Sequence, residues 1–157
     1  MKKILVSACL YGEGIVRYDG KEKPLSDPLF LKWKSEGRLI PLCPEILAGL
    51  PVPRARTEQK GARVITSEGG DLTEAFHKAG ELALQTAKDA DIAFAIFKEN
   101  SPSCGVNSVY DGTFSGMKIN KSGITTEYLK AAGYKVFSEH ELDAAERYLI
   151  DQESSII

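Results

Sequence analysis

Three cysteines, Cys9, Cys43 and Cys104, each sit in a short motif of their own: Ser7-Ala8-Cys9-Leu10, Cys43-Pro44-Glu45 and Ser101-Pro102-Ser103-Cys104-Gly105. Each follows an apolar run, Ile4-Leu5-Val6, Leu39-Ile40-Pro41-Leu42 or Ile92-Ala93-Phe94-Ala95-Ile96-Phe97. If those runs are neighbouring parallel strands, the three thiols meet at one edge of a sheet. Three thiolates at one point make a metal site with one ligand missing, and the open position is where a substrate binds. The sequence holds no close C-x2-C pair of the structural zinc type and no redox C-x-x-C. Dispersed single cysteines suit a cluster seated in a preformed pocket. A [4Fe-4S] cluster usually takes four thiolates, so three leave one iron open. Two further readings stand beside this one. The cysteines are three small buried hydrophobes, or they hold zinc together with a water, although zinc hydrolases usually recruit a histidine that is not evident here.

The residues around the cysteines carry the rest of a reaction. Glu45, two residues after Cys43, is placed to act as a general base on water beside a bound substrate; the plainer reading is a first-turn carboxylate helping to cap a short helix. Ser101 and Ser103 bracket Pro102, and a hydroxyl there hydrogen-bonds a substrate heteroatom, relays a proton or serves the turn. Arg54 and Arg56 would hold a substrate anion or pair with a carboxylate such as Glu58. Tyr18 and Tyr110 each precede an Asp-Gly turn and offer a ring on which a flat base would stack. His77 and His140 read as surface positions. There is no complete G-x-G-x-x-G and no Walker A lysine, so dinucleotide and nucleoside triphosphate readings are weak.

These groups need a scaffold, and the pattern predicts one. Lys3 to Ala8 reads as a first strand rather than a secretory leader, because its apolar run stops at Ser7 and charges follow. Ser26 or Asp27 would cap a helix with Pro28 in its first turn, ended by Gly37. Strands follow at Arg38–Leu42 and Arg63–Thr66. Asp71 and Glu74 have capping-box spacing ahead of a helix running to about Lys88 that buries Phe76, Ala79, Ala83 and Leu84. Asp91–Lys98 reads as a central strand, apolar on both faces. After a long loop from Glu99 to about Gly123 come a helix from Ile124 to Ala132, a strand from Tyr134 to Phe137 and a closing helix from Glu139 to about Gln152. The expectation is an α/β fold, one domain over residues 1–157, with a mostly parallel, Rossmann-like sheet and helices on both faces. Ligands in such sheets bind beyond the carboxyl ends of the strands, where Cys9 and Cys43 fall and the Cys104 loop begins.

Composition limits the partners. The chain has 157 residues, 43% of them hydrophobic, and a formal net charge of -2. That balance argues against wrapping duplex nucleic acid or lying on a membrane. No run approaches the length of a membrane span. An odd number of separately placed cysteines points away from a disulfide framework and toward a reducing cytoplasm.

Taken together and in order, the motifs resemble a known family. They are Ser7-Ala8-Cys9-Leu10, Val16-Arg17-Tyr18-Asp19-Gly20, Cys43-Pro44-Glu45, Gly49-Leu50-Pro51-Val52-Pro53-Arg54, Lys98 through Gly105, Tyr110-Asp111-Gly112-Thr113-Phe114 and Gly123-Ile124-Thr125. The chain is similar over nearly its whole length to the thiouracil desulfurases, a family once known only as a domain of unknown function. Tyr11-Gly12 departs from the family's more usual Leu-Gly. The resemblance implies a [4Fe-4S] cluster on Cys9, Cys43 and Cys104 with one iron free. It also implies Glu45 and Ser101 as catalytic residues, and removal of sulfur from 2- or 4-thiouracil as sulfide without net redox change. Ser103, Arg54 and Tyr18 are candidates for substrate contact. The implied substrate is a small thiolated pyrimidine; a thiolated tRNA loop is the less favoured alternative. The rival functions are a zinc-dependent hydrolase using the same cysteines and a non-enzymatic iron-sulfur sensor or sulfur carrier.

Overall fold

The computed structural model describes residues 1–12, 19–21 and 23–154. In chain order the elements are β1 (Lys3–Ser7), α1 (Ala8–Tyr11), α2 (Pro28–Ser35), β2 (Leu39–Leu42), α3 (Pro44–Leu47), β3 (Thr57–Lys60), β4 (Arg63–Thr66), α4 (Thr73–Ala90), β5 (Ile92–Phe97), β6 (Val109–Tyr110), β7 (Lys118–Ile119), α5 (Ile124–Ala131), β8 (Val136–Ser138) and α6 (Leu142–Ser154). The central sheet is parallel throughout, in the order β2-β1-β5-β8. Ser7 lies opposite Leu42, and Val6 opposite Ile96, so three carboxyl ends are nearly level. From β1 the chain moves to one side of the sheet, and from β5 to the other. The β1/β5 boundary is therefore a topological switch point, the usual seat of a ligand in open α/β sheets.

Alternation along the buried strands supplies two cores. Ile4, Val6, Phe94 and Ile96 pack on Phe30 and Trp33 of α2 and on Leu142, Ala145 and Leu149 of α6. On the opposite face Leu5, Ala95 and Phe97 pack with Ala83 and Ala87 of α4 and Leu129 of α5. Both faces are thus covered by helices, as expected for a parallel sheet. Asp27 caps α2 by accepting the Leu29 N–H at 2.8 Å, with Pro28 in the first turn. Among the described residues no helix is long and apolar enough to cross a membrane.

Several local expectations are corrected. Arg63–Thr66 is not a member of the main sheet; it pairs antiparallel with β3, whose sequence TEQK carries no apolar alternation. The capping box at Asp71 does not form. Leu72 occupies the cap position, while the Asp71 carboxylate accepts the Thr73 N–H at 2.9 Å and is claimed by Arg63 Nε at 2.8 Å. Leu84 is half-buried rather than fully buried, and Gly80 and Ala87 join the inner face of α4. The long loop after β5 contains the small β6–β7 hairpin. Two one-turn helices, α1 and α3, follow β1 and β2 directly.

The loop from Glu99 to Ser108 is held from both sides. Glu99 Oε1 accepts the N–H groups of Val106, Asn107 and Ser108 at 2.7, 2.8 and 3.1 Å, and Oε2 accepts Asn107 Nδ2 at 3.0 Å. Burial acts to raise the Glu99 carboxyl, but the N–H groups of Asn107, Ser108 and Val106 and the Asn107 amide outweigh it and hold the carboxyl below the usual glutamate range. From below, the first N–H groups of α5 run into the same loop: Ile124 N donates to Pro102 O at 2.9 Å and Thr125 N to Ser103 O at 3.0 Å. Gly123 permits this approach, since a Cβ there would sit 2.4 Å from the Ser103 carbonyl carbon. The buried Gln59 amide donates to Pro102 O at 3.0 Å and Ser122 O at 3.1 Å.

Two tests follow from this clamp. Gly123→Ala is expected to cost about 1–3 kcal/mol by overpacking, measured by urea denaturation, because the neighbour it strikes is backbone. For Glu99 the folded-state carboxyl is lowered, so its stabilisation is present above the unfolded value of about 4.3 and is lost as pH falls through the lower folded value. Glu99→Gln is therefore expected to cost about 1 kcal/mol at pH 7, with the deficit closing as both proteins are titrated into the acid range.

Candidate active site

Cys9 lies in α1 immediately after β1, Cys43 at the start of α3 immediately after β2, and Cys104 on the clamped loop after β5. All three line one cavity of about 350 Å³ at the carboxyl edge of the sheet. Cys9 and Cys43 are half-buried and Cys104 is buried. Burial pushes the Cys104 thiol up; a Ser7 side-chain hydrogen bond opposes this, repulsion from Cys43 and Cys9 adds to it, and the Ser103 hydroxyl opposes it. Burial likewise pushes the Cys43 thiol up, against the facing N–H of Ile46; the Glu45 charge adds to the rise, and the Arg54 charge and the Glu45 N–H reduce it. These thiols become thiolates when a cation compensates their charge, releasing protons as it binds.

The donor chemistry fits an iron-sulfur cluster: three cysteine thiols, brought from three separate parts of the chain, line one cavity, and thiolates are the usual ligands of such clusters.

A chain of polar groups crosses the same cavity. Arg54 Nε and Arg54 Nη2 both lie 3.1 Å from Glu45 Oε1, and Arg54 Nη1 donates to Pro51 O at 3.1 Å. Glu45 Oε2 accepts the Ser103 hydroxyl at 3.0 Å, and Ser103 Oγ lies 3.0 Å from Ser101 Oγ. Ser101 Oγ already accepts two N–H groups, from Ser103 at 3.2 Å and from Cys104 at 3.1 Å. A hydroxyl has two acceptor positions and one proton, so Ser101 is the donor in the Ser101–Ser103 pair. The order Ser101, Ser103, Glu45 is therefore a directed proton path that ends on the carboxylate, with Arg54 fixing its far oxygen.

The sequence candidates separate accordingly. Cys9, Cys43, Cys104, Glu45, Ser101, Ser103 and Arg54 all line the one cavity. Glu45 is also the first-turn carboxylate of α3, as the plainer reading of it had it. Arg54 pairs with Glu45 rather than Glu58. Glu58 is instead reached by Arg56 Nη2 at 3.5 Å, and its Oε1 accepts the N–H groups of Gly112 and Phe114. Tyr110 lies on the cavity wall, with Arg56 and Lys118 each just under 6 Å from its ring centroid (5.7 and 5.8 Å). Tyr18 lies outside the described residues. His77 and His140 are exposed, and His77 meets the Tyr128 hydroxyl at 3.0 Å. Sequence reasoning missed Lys98 and Ser7, which also line the cavity. Their signal is positional: each is at or just past the carboxyl end of a buried strand.

Comparison with known proteins gives the family. A solved structure of a [4Fe-4S]-dependent thiouracil desulfidase, TudS, superposes with a TM-score of 0.92 at 42% sequence identity, over 95% of this chain and 98% of that one. An uncharacterized protein of Bacillus subtilis strain 168, YbbK, is 40% identical over 89% of this chain and 97% of its own length. The model of the 2-thiouracil desulfurase family matches residues 4–141. With the cysteines at three strand ends and a family match that spans them all, the chain belongs to the 2-thiouracil desulfurase family.

Proposed function

We propose that this protein hydrolyses the thiocarbonyl of a thiolated uracil, giving uracil and hydrogen sulfide, with Cys9, Cys43 and Cys104 holding a [4Fe-4S] cluster that has one iron without a protein ligand. The observation that carries the reading is that three thiols and the Ser101–Ser103–Glu45–Arg54 path line a single cavity. The TudS relative is described as [4Fe-4S]-dependent, which supports the same cofactor here. The reaction balances without an electron donor: C=S and water become C=O and hydrogen sulfide. When bound, the cluster supplies a soft Lewis acid suited to the substrate sulfur, which draws electron density from the ring carbon.

The chain's own residues account for the protons. Glu45 accepts a proton from the attacking water as general base. Ser101 takes it in the first instance, while its own proton passes to Ser103 and the Ser103 proton to Glu45 Oε2. Arg54 holds Oε1 with two N–H groups and prevents the carboxylate from rotating off that path. Protonated Glu45 returns that proton to the sulfur, and as the carbon–sulfur bond breaks the hydroxyl proton left on the carbon leaves by the same serines, so that the carbonyl forms and sulfur departs as hydrogen sulfide. The cavity of about 350 Å³ has to hold the cluster as well as the substrate and sits at the lower end of ligand pockets, about 300–1,000 Å³, which favours a small molecule as the substrate.

The test is sulfide and uracil release from 2-thiouracil and 4-thiouracil by anaerobically reconstituted protein. The expected result is equimolar uracil and sulfide from a protein with iron-sulfur absorption; a protein that takes up neither iron nor sulfide removes the cluster reading. Glu45→Gln is expected to lower kcat by about 10²–10⁴-fold and Ser101→Ala by roughly 10²-fold, with cluster content unchanged. Arg54→Lys keeps the charge but not the fork, and is expected to fall between wild type and Glu45→Gln. Unchanged turnover in Glu45→Gln with normal loading would overturn the proton path.

A further inference from the structure

Arg54 and Arg56 flank a single alanine, yet the fold holds them differently. The Arg54 side chain is 8% exposed, and its Nε, Nη1 and Nη2 are engaged with Glu45 and Pro51. The Arg56 side chain also lines the cavity but is 43% exposed. Among the described residues its guanidinium donates only to Glu58, from Nη2 at 3.5 Å. A guanidinium has five N–H donors, so most of those on Arg56 remain for whatever enters.

Tyr110 stands beside it. It is the one aromatic residue among the described residues that line the cavity. Its ring centroid lies 5.7 Å from Arg56 Cζ. That is near the outer limit of about 6 Å for a cation–π contact, so the guanidinium does not close over the ring. Glu58, 1% exposed, ties the two together. Its Oε2 accepts from Arg56, and its Oε1 accepts the N–H groups of Gly112 at 3.0 Å and Phe114 at 3.1 Å, in the turn just after Tyr110. Gly112 has a φ of 95°, and a Cβ there would lie 2.6 Å from the Gln59 carbonyl oxygen, so that turn closes onto β3 only with glycine. One buried carboxylate therefore sets both the ring and the guanidinium.

We propose that Arg56 and Tyr110 form the recognition wall for the pyrimidine: the Tyr110 ring stacks on its face, and Arg56 donates to the ring carbonyl that is not attacked. The proposal rests on the desulfurase reading above. A thiolated uracil carries one thiocarbonyl and one carbonyl, on either side of a ring nitrogen. The Ser101–Ser103–Glu45 path serves the first. The second is an acceptor that loses water when the cavity encloses it, and leaving it unmet would cost binding. Arg56 has the donors for it, because its own carboxylate partner is distant and already holds two N–H groups. Neither Arg56 nor Tyr110 moves a proton in the reaction, so both act on binding and specificity rather than on the chemical step.

The experiment measures competitive inhibition of sulfide release by uracil, pyrimidin-2-one and pyrimidin-4-one, none of which reacts, with reconstituted full-length protein. Wild type that turns over neither 2-thiouracil nor 4-thiouracil removes the desulfurase reading, and this inference with it. Given turnover, the telling ligand is the pyrimidinone that keeps only the carbonyl at the attacked position. Wild type is expected to bind uracil at least about tenfold more tightly than that pyrimidinone, and Arg56→Met to bind the two within about twofold of each other. Arg56→Met is also expected to raise KM for thiouracil about tenfold with kcat little changed. Tyr110→Leu is expected to weaken both ligands alike, by about tenfold, because stacking is indifferent to the carbonyl; Tyr110→Phe is expected to match wild type. A wild type without the preference, or an Arg56→Met protein that retains it, would overturn the Arg56 contact. Equal weakening of both ligands in Arg56→Met would also overturn it, in favour of a purely structural Arg56–Glu58 tie. Unchanged inhibition in Tyr110→Leu would overturn the stacking. If Arg56→Met does not fold, Arg56→Lys, which keeps a charge near Glu58 but not the planar fork, takes its place: partial loss of the preference supports the proposal and full retention contradicts it.

Discussion

Parallel pairing of β2, β1 and β5 is the constraint on which the site depends. In a parallel sheet every strand ends at the same edge, so residues far apart in sequence arrive together without any local motif to join them. Ser7 opposite Leu42 and Val6 opposite Ile96 fix that edge to within about a residue. Cys9, Cys43 and the Cys104 loop follow from it. The register is specified in turn by burial on both faces, because a one-residue slip of β5 would exchange Phe94 and Ile96 with Ala95 and Phe97 between two differently shaped cores.

Strand ends alone do not make a reactive site, since the loops beyond them are free to move unless other groups fix them. Here the fixing groups are mostly polar and buried. Glu99 gathers successive N–H groups of the Cys104 loop, and the start of α5 donates to carbonyls on its other side. Gln59, on β3, reaches the Pro102 carbonyl between the two site serines. The β3–β4 hairpin outside the main sheet is therefore part of the support, because it carries Glu58 and Gln59, which bind two separate loops after β5. The Ser101 hydroxyl is held by two backbone N–H donors and the Glu45 carboxylate by an arginine fork, so the polar groups of the cavity are oriented in advance.

The sequence made the main sheet legible because β1, β2 and β5 are uninterrupted apolar runs and α4 has a clear 3.6-residue period. The cysteines were readable for the same reason, as polar or reactive residues just past such runs. The β3 strand was not, because Thr57-Glu58-Gln59-Lys60 is polar at every position and what it buries is polar rather than apolar. The Asp71 cap misled because the spacing rule does not see Arg63 on a neighbouring strand competing for the carboxylate. The pairing of Arg54 with Glu45 rather than Glu58 was likewise out of reach. It depends on the turn through Pro51 and Pro53 that brings the chain back over α3, and nothing in the alternation of Arg54-Ala55-Arg56 distinguishes the two arginines.

Cys9, Cys43 and Cys104 are proposed to hold a cluster with one iron left for the substrate's sulfur. The most direct measurement is the Mössbauer spectrum of protein reconstituted with ⁵⁷Fe, recorded before and after adding thiouracil under anaerobic conditions. The expected spectrum is that of a four-iron cluster in which about one iron in four is distinct and changes its parameters when thiouracil is added, while the remaining irons keep theirs. A spectrum with four equivalent irons that does not respond to thiouracil, or no cluster iron at all, would contradict it.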